Sequence, residues 1–285
     1  MIKFGVNISF MNDVVSYFSS IPSSHRSLIL VSGITIFWLL ENAFPLFNFN
    51  YKKWQHAGIN IFLTFTTIMV NFSLASILLK SANWTIAHNF GVLQRLPEMP
   101  LCLYTLIGLL LLDLIGAYLV HLMEHKVKFL WRFHLIHHTD TWIDTTSANR
   151  HHPGESLIRF AFTTLGVLVV GSPMWMIFLY QTISVISTQF THANISLPKK
   201  LDAFLSYFLV SPNMHKVHHH YTLPYTDSNY GNIFSIWDRL FDTFMYLPKE
   251  EIVYGIDTYR KPEEHNKLGN LLKIPFLKLR LPEKN

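Results

Sequence analysis

The chain has 285 residues, of which 50% are hydrophobic and 14% charged, against about 25% charged in an average soluble domain, so its composition is that of a membrane protein. The net charge of +5 is scattered as Lys and Arg between apolar stretches and forms no basic stripe, which argues against a nucleic-acid partner. One cysteine, Cys102, excludes a disulfide framework and a cysteine-held iron–sulfur cluster, so any electrons must come from elsewhere.

In chain order, residues 1–26 show no cleavable-signal pattern, because Asn7, Asn12, Asp13 and a serine-rich turn ending in Pro22 interrupt the apolar positions; they read as an amphipathic lead-in. Three span candidates follow: Ser27–Phe44, with Glu41 and Asn42 near its end and Pro45 as its stop; Ala57–Leu79; and Leu101–Val120, which delivers His121 at its end. Putting that end in the cytoplasm places Lys52, Lys53, Lys126, Lys128 and Arg132 inside, leaves residues 80–100 outside, and puts the N-terminus outside. Asp113 lies within the third span, where an acid is either functional or a hydrogen-bond partner for a neighbouring helix.

Leu157–Val170 and Met174–Phe190 are somewhat short apolar runs joined by Gly171, Ser172 and Pro173. They predict a tight hairpin that enters and returns to one face, bringing His151 and His152 towards His192. From Leu197 onward nothing is long enough to span, so the tail is expected to cap the site from the cytoplasmic side. The fold class is therefore all-α: a polytopic membrane helix bundle with a cytoplasmic, histidine-rich dimetal cap. The expected divisions are an N-terminal membrane region over 1–100, a histidine-rich domain over 101–245 and a C-terminal cytoplasmic tail over 246–285.

Histidine spacing carries the functional signal. His121 and His125 form H-x-x-x-H; His134, His137 and His138 form H-x-x-H-H; His215, His218 and His219 repeat H-x-x-H-H, with His220 as an extra neighbour. Residues three and four apart share a helix face, so each set aims its imidazoles together. Such a cluster would repel itself if protonated, and metal binding holds the rings neutral. With His152 and His192, ten histidines converge: His121, His125, His134, His137, His138, His152, His192, His215, His218 and His219. One tetrahedral zinc needs four ligands, so ten favour two metals with four to five nitrogens each. Imidazole suits iron and zinc alike, so spacing does not name the metal. The H-x-x-E-H formed with Glu124 matches an inverted zinc-protease motif, but it explains two histidines and leaves eight idle.

WRFHLIHHTD (131–140), DTTSANRHHPGE (144–155), QFTHAN (189–194), SPNMHKVHHH (211–220) and NYGNIFSIWDRLFDTF (229–244) together resemble the conserved blocks of the membrane fatty-acid hydroxylase and sterol desaturase superfamily, in that family's order. The resemblance covers about residues 100 to 245. It matches His152 and His192 to family ligands outside the three main sets, and gives His151 and His220 no clear match. Leu122 stands where the family often has arginine, and Asp242 where it often has glycine.

The resemblance implies two iron ions, with zinc possible in the purified protein, and O2-dependent hydroxylation or desaturation of a lipid or sterol C–H bond, or cleavage of an ether lipid. No flavin or dinucleotide fingerprint occurs, so a separate electron-donor protein is expected. Asp140, Asp144, Glu155 and Asp227 are candidates to orient ligand rings. The expected location is a multi-pass position in a cell inner membrane or endoplasmic reticulum, with the metals facing the cytoplasm.

Overall fold

The computed structural model describes residues 8–281. Asn7 and the rest of the start of the expected lead-in lie outside the described residues, as do the last four residues of the tail; what is described of the lead-in forms α1 (Ile8–Ser19), packed on α8 (Met174–His192). The described residues hold helices and isolated bridges but no strand, as the sequence predicts.

Among the described residues, four helices are long and apolar enough to cross a membrane: α2 (Ser23–Ala43), α3 (Lys53–Ala87), the run Leu101–Lys126, and α7 (Pro153–Val170). The 35 residues of α3 exceed the expected second span, since nothing breaks the helix until Asn89 takes a positive φ. The run Leu101–Lys126 is α4 (Leu101–Asp113), one π-helical segment (Leu114–Leu119) and α5 (Val120–Lys126). It continues past the expected Val120 boundary and so carries both His121 and His125.

The hairpin of α7 and α8 returns to its starting face, and its tip reaches the far end of the bundle. There Val92 N–H donates to Val169 O at 2.9 Å and Gln94 Nε2 donates to Gly171 O at 2.8 Å. The extra reach comes from α7 starting at Pro153, where His152 caps the helix, giving 18 residues or about 27 Å. Gly171 is required at the tip: its φ is 72°, and a Cβ there would lie 2.4 Å from Phe90 O.

Leu109, Leu112, Phe160, Val167, Met176 and Tyr180 form the main core between α3, α4, α7 and α8. At the other end, α6 (Lys128–His138), α9 (Lys199–Leu205), α10 (Pro212–His218) and the C-terminal short helices fold over the bundle. Asp113 is one anchor between the two layers. Fully buried, it accepts from the backbone N–H of Ile233 and Phe234 and from Trp237 Nε1, which assigns it the hydrogen-bonding alternative.

Candidate metal centre

Val127 breaks the helix with extended dihedrals, so α5 folds back on α6 and His121 and His125 meet His134 and His138. His192 ends α8, while His215 and His218 lie on α10 with His219 as its C-cap. Nine histidines then fall into two adjacent groups. His121, His125, His134, His138 and His218 form the first; His137, His192, His215 and His219 form the second.

The H-x-x-H-H motif explains how one short helix serves both. Positions i and i+4 lie 40° apart around a helix, whereas i+3 lies on the other side of i. His134 and His138 therefore enter the first group and His137 the second; on α10 the pattern reverses, with His215 and His219 in the second group and His218 in the first. Each motif straddles both groups, and His138 stacks on His219 with ring centroids 4.8 Å apart across the boundary.

The donor set fits metal ions. In the second group the Nε2 atoms of His192, His215 and His219 lie 3.1, 3.2 and 3.2 Å from one another, and His137 Nε2 is 3.1 Å from His192 Nε2. A neutral imidazole nitrogen is either donor or acceptor, so three in mutual contact cannot all be satisfied by hydrogen bonds. Nitrogens about 2.0–2.1 Å from a shared cation would lie about 3.3 Å apart, close to these spacings. In the first group His134 Nε2 is 3.1 Å from both His121 Nε2 and His138 Nε2, while the buried Nε2 atoms of His125 and His218 have no protein partner. Burial, followed by neighbouring rings, holds His134, His137, His138, His215 and His219 well below the usual imidazole range, and burial pushes His218 down to about 4. The rings are therefore neutral at pH 7, the form that ligates.

Outer hydrogen bonds orient several rings. Nδ1–H of His121 donates to Tyr230 O, of His218 to Ser228 O and of His192 to Thr188 O, at 2.9, 2.7 and 2.8 Å. His134 Nδ1 is 2.8 Å from Glu155 and His125 Nδ1 is 3.1 Å from Asp227, so these two carboxylates stand where the sequence reading puts them. Asp140 and Asp144 do not. They hold His56 of α3 instead, at 2.9 and 3.3 Å, because the 139–150 loop turns away from the metal groups to pack on that helix.

His152 differs from its expected placement: it joins neither group. Its Nδ1 accepts from Gly154 N–H at 2.9 Å and its Nε2–H donates to Leu272 O at 3.4 Å, so both ring nitrogens are used by the backbone. Its neighbour His151 lies at the rim instead, stacked on His137 at 4.9 Å and bonded to Glu155. His220 stays apart, accepting from Val253 N–H. Glu124 is buried and accepts from Arg159 at 2.6 Å, so it is already ion-paired rather than poised as the base of a zinc protease.

The sequence reading passed over Arg159 and His56. An arginine inside an apolar run was a usable signal for the first. His56 sits one residue before the expected second span, where no spacing links it to the histidine sets.

A cavity of about 1150 Å³ runs from His121, His137, His192 and His215 down between α2, α3, α7 and α8 to Ser23 and Arg26. Gly116 and Ala117, on the metal-proximal part of the third span, are part of its wall.

The fatty acid hydroxylase family profile matches residues 105–243. The chain is 27% identical over 153 residues to the ornithine lipid hydroxylase OlsE of Rhizobium tropici, covering 53% of this chain and 45% of that protein. It is 28% identical over 150 residues to methylsterol monooxygenase 1 of Danio rerio, covering 53% and 50%, and 26% identical over 141 residues to alkylglycerol monooxygenase of Danio rerio, covering 50% and 30%. The match thus spans half or less of each of these relatives. No solved structure matches the chain. The histidine motifs and the family profile fall on the same stretch, and residues 105–243 form a domain of the fatty acid hydroxylase and sterol desaturase superfamily.

Proposed function

We propose that this protein uses O2 to oxidise a C–H bond of a lipid or sterol, by hydroxylation or desaturation, at two iron ions held by His121, His125, His134, His138 and His218 on one side and His137, His192, His215 and His219 on the other. The observation that carries this reading is the pair of all-histidine groups, four of whose members line a cavity of about 1150 Å³ within an apolar helix bundle. Iron bound there would supply O2 activation and redox cycling. The protein supplies the rest. Tyr230, Ser228, Thr188, Glu155 and Asp227 hold five rings by their second nitrogens. Arg159 offsets the charge of Glu155 and Glu124 through ion pairs at 3.0 and 2.6 Å. Gly116 and Ala117 leave room for hydrocarbon beside the groups.

Cleavage of an ether lipid is the alternative within the same site, since it needs the same ligands. Electrons would come from a separate donor protein. We further propose that 101–245 is the oxidase domain and that the metal groups face the cytoplasm. Cysteines introduced singly near Lys128 and Lys249 should then both be protected from an impermeant thiol reagent in intact cells.

Two measurements test the activity. Protein purified without added metal should carry two irons per chain, and lipid mass spectrometry of membranes with and without the protein should show an oxidised lipid that depends on it. One zinc per chain and an unchanged lipidome would overturn the reading.

A further inference from the structure

The cavity wall contributed by α8 has a pattern that metal binding does not need. Tyr180, Ser184, Thr188 and His192 recur every four residues, and all four line the cavity. Gln181, Thr182 and Thr191 of the same helix line the cavity too, so this wall is a polar stripe that ends in a metal-group histidine. Asn232 extends it: its Nδ2 donates to Ser184 Oγ at 2.6 Å, and its Oδ1 accepts from Thr188 Oγ1 at 2.8 Å. The Tyr180 hydroxyl lies beside Ser184. Polar groups in a lipid-facing bundle are costly unless they meet a partner. Within the row the Thr188 hydroxyl also donates to Ser184 O at 2.7 Å, so its one hydrogen is used there and Thr188 is left as an acceptor.

We infer that this stripe is a subsite for an uncharged oxygen-bearing group of the substrate, such as a hydroxyl, ester or ether oxygen. Thr188 and Ser184 are four and eight residues from His192, or about 6 and 12 Å along the helix. The polar group therefore sits about 6–12 Å from His192, and the carbon to be oxidised lies several bonds further along the chain, towards the histidine groups. The group is uncharged because the nearby cations are committed: Arg159 through Nε and Nη2 to Glu155 and Glu124, and Lys216 through Nζ to the carbonyls of Thr191 and Ala193. Arg26, the other cation in the wall, sits over Phe178. Phe178 is fourteen residues, or about 21 Å, from His192. This inference rests on the lipid-oxidase reading and narrows its substrate class.

The test is binding without turnover, by native mass spectrometry of the purified full-length protein offered 1-hexadecanol, hexadecane or hexadecanoate. The alcohol should be retained about tenfold better than the alkane. Ser184→Ala, close in shape to the original, should remove most of that preference. Ser184→Thr should restore it, and hexadecane retention and metal content should stay constant throughout. Equal retention of alcohol and alkane, or an alcohol preference indifferent to Ser184→Ala, overturns the subsite and leaves the lipid reading standing. So does preferred retention of hexadecanoate abolished by Arg26→Gln, which would put an anionic head at the far end. Failure to retain any of the three would overturn both.

Discussion

The two histidine groups are alike in composition and unlike in support. In the first, four of five rings have Nδ1 tied to a carbonyl or carboxylate: His121, His125, His134 and His218. In the second, only His192 is tied in this way; Nδ1 of His137, His215 and His219 is buried with no protein partner. Outer hydrogen bonds fix ring orientation and raise basicity. The first group is therefore organised by the protein, whereas the second would be organised only by its ligands meeting around an ion. Chelator should remove metal from the second group first.

The largest expected effect comes from removing the hub of each group. His192 Nε2 contacts Nε2 of His137, His215 and His219, and His134 Nε2 contacts that of His121 and His138. His192→Ala and His134→Ala should each leave about one metal per chain by elemental analysis, with lipid oxidation at background. Two retained metals in either variant would dissolve the division into two groups.

Next in size is the support itself. Glu155→Gln replaces the carboxylate that holds His134 by a neutral amide, and should weaken the first group by about 10–100-fold in a chelator competition while leaving the second unchanged. That would narrow the difference between the groups. Glu155 also bonds His151 and Arg159, so a thermal midpoint must accompany the measurement. An equal loss from both groups would mean that Glu155 supports the whole cap.

Much of this was legible in the residues. The all-helical bundle and the meeting of the three histidine sets with His192 follow from spacing and hydropathy, because a helix turns i, i+3 and i+4 into fixed directions. The division of each H-x-x-H-H between two groups was not legible, since it depends on how α6 and α10 face each other. His152 was misread for a related reason. A family match places a residue in a block, but only the backbone shows that Gly154 N–H and Leu272 O take up both of its nitrogens. Asp140 and Asp144 lie as close in sequence to ligands as Glu155 does, yet their loop turns them to His56, and sequence proximity cannot choose between such directions.

Acid should blur the contrast more gently. The rings outside the spans have folded pKa values below the 6.5 of a free imidazole, His218 at about 4. A depressed base binds fewer protons folded than unfolded, so stability is fully present above about pH 6.5 and is lost as pH falls towards 4. Protons compete with metal over the same window. Chelator titrations should separate the two groups at pH 7.5 and bring them together near pH 5. A separation unchanged at pH 5 would point to ligands other than imidazole.

The smallest expected effect separates ligand from scaffold. His152 is the N-cap of α7, accepting from Gly154 N–H, and its other nitrogen reaches Leu272 O in the C-terminal segment. Losing an N-cap acceptor costs about 0.5–2 kcal/mol, so His152→Ala should lower the thermal midpoint modestly. Because neither nitrogen is available to a metal group, metal content and chelator sensitivity should match the wild type. His152→Asn, which keeps a cap acceptor, should recover the stability. His220→Ala is the parallel control, its ring accepting from Val253 N–H away from both groups. If His152→Ala instead lost a metal that His152→Asn did not restore, the ring would have to swing inward on metal binding. The first turn of α7 would then be part of the centre rather than its support.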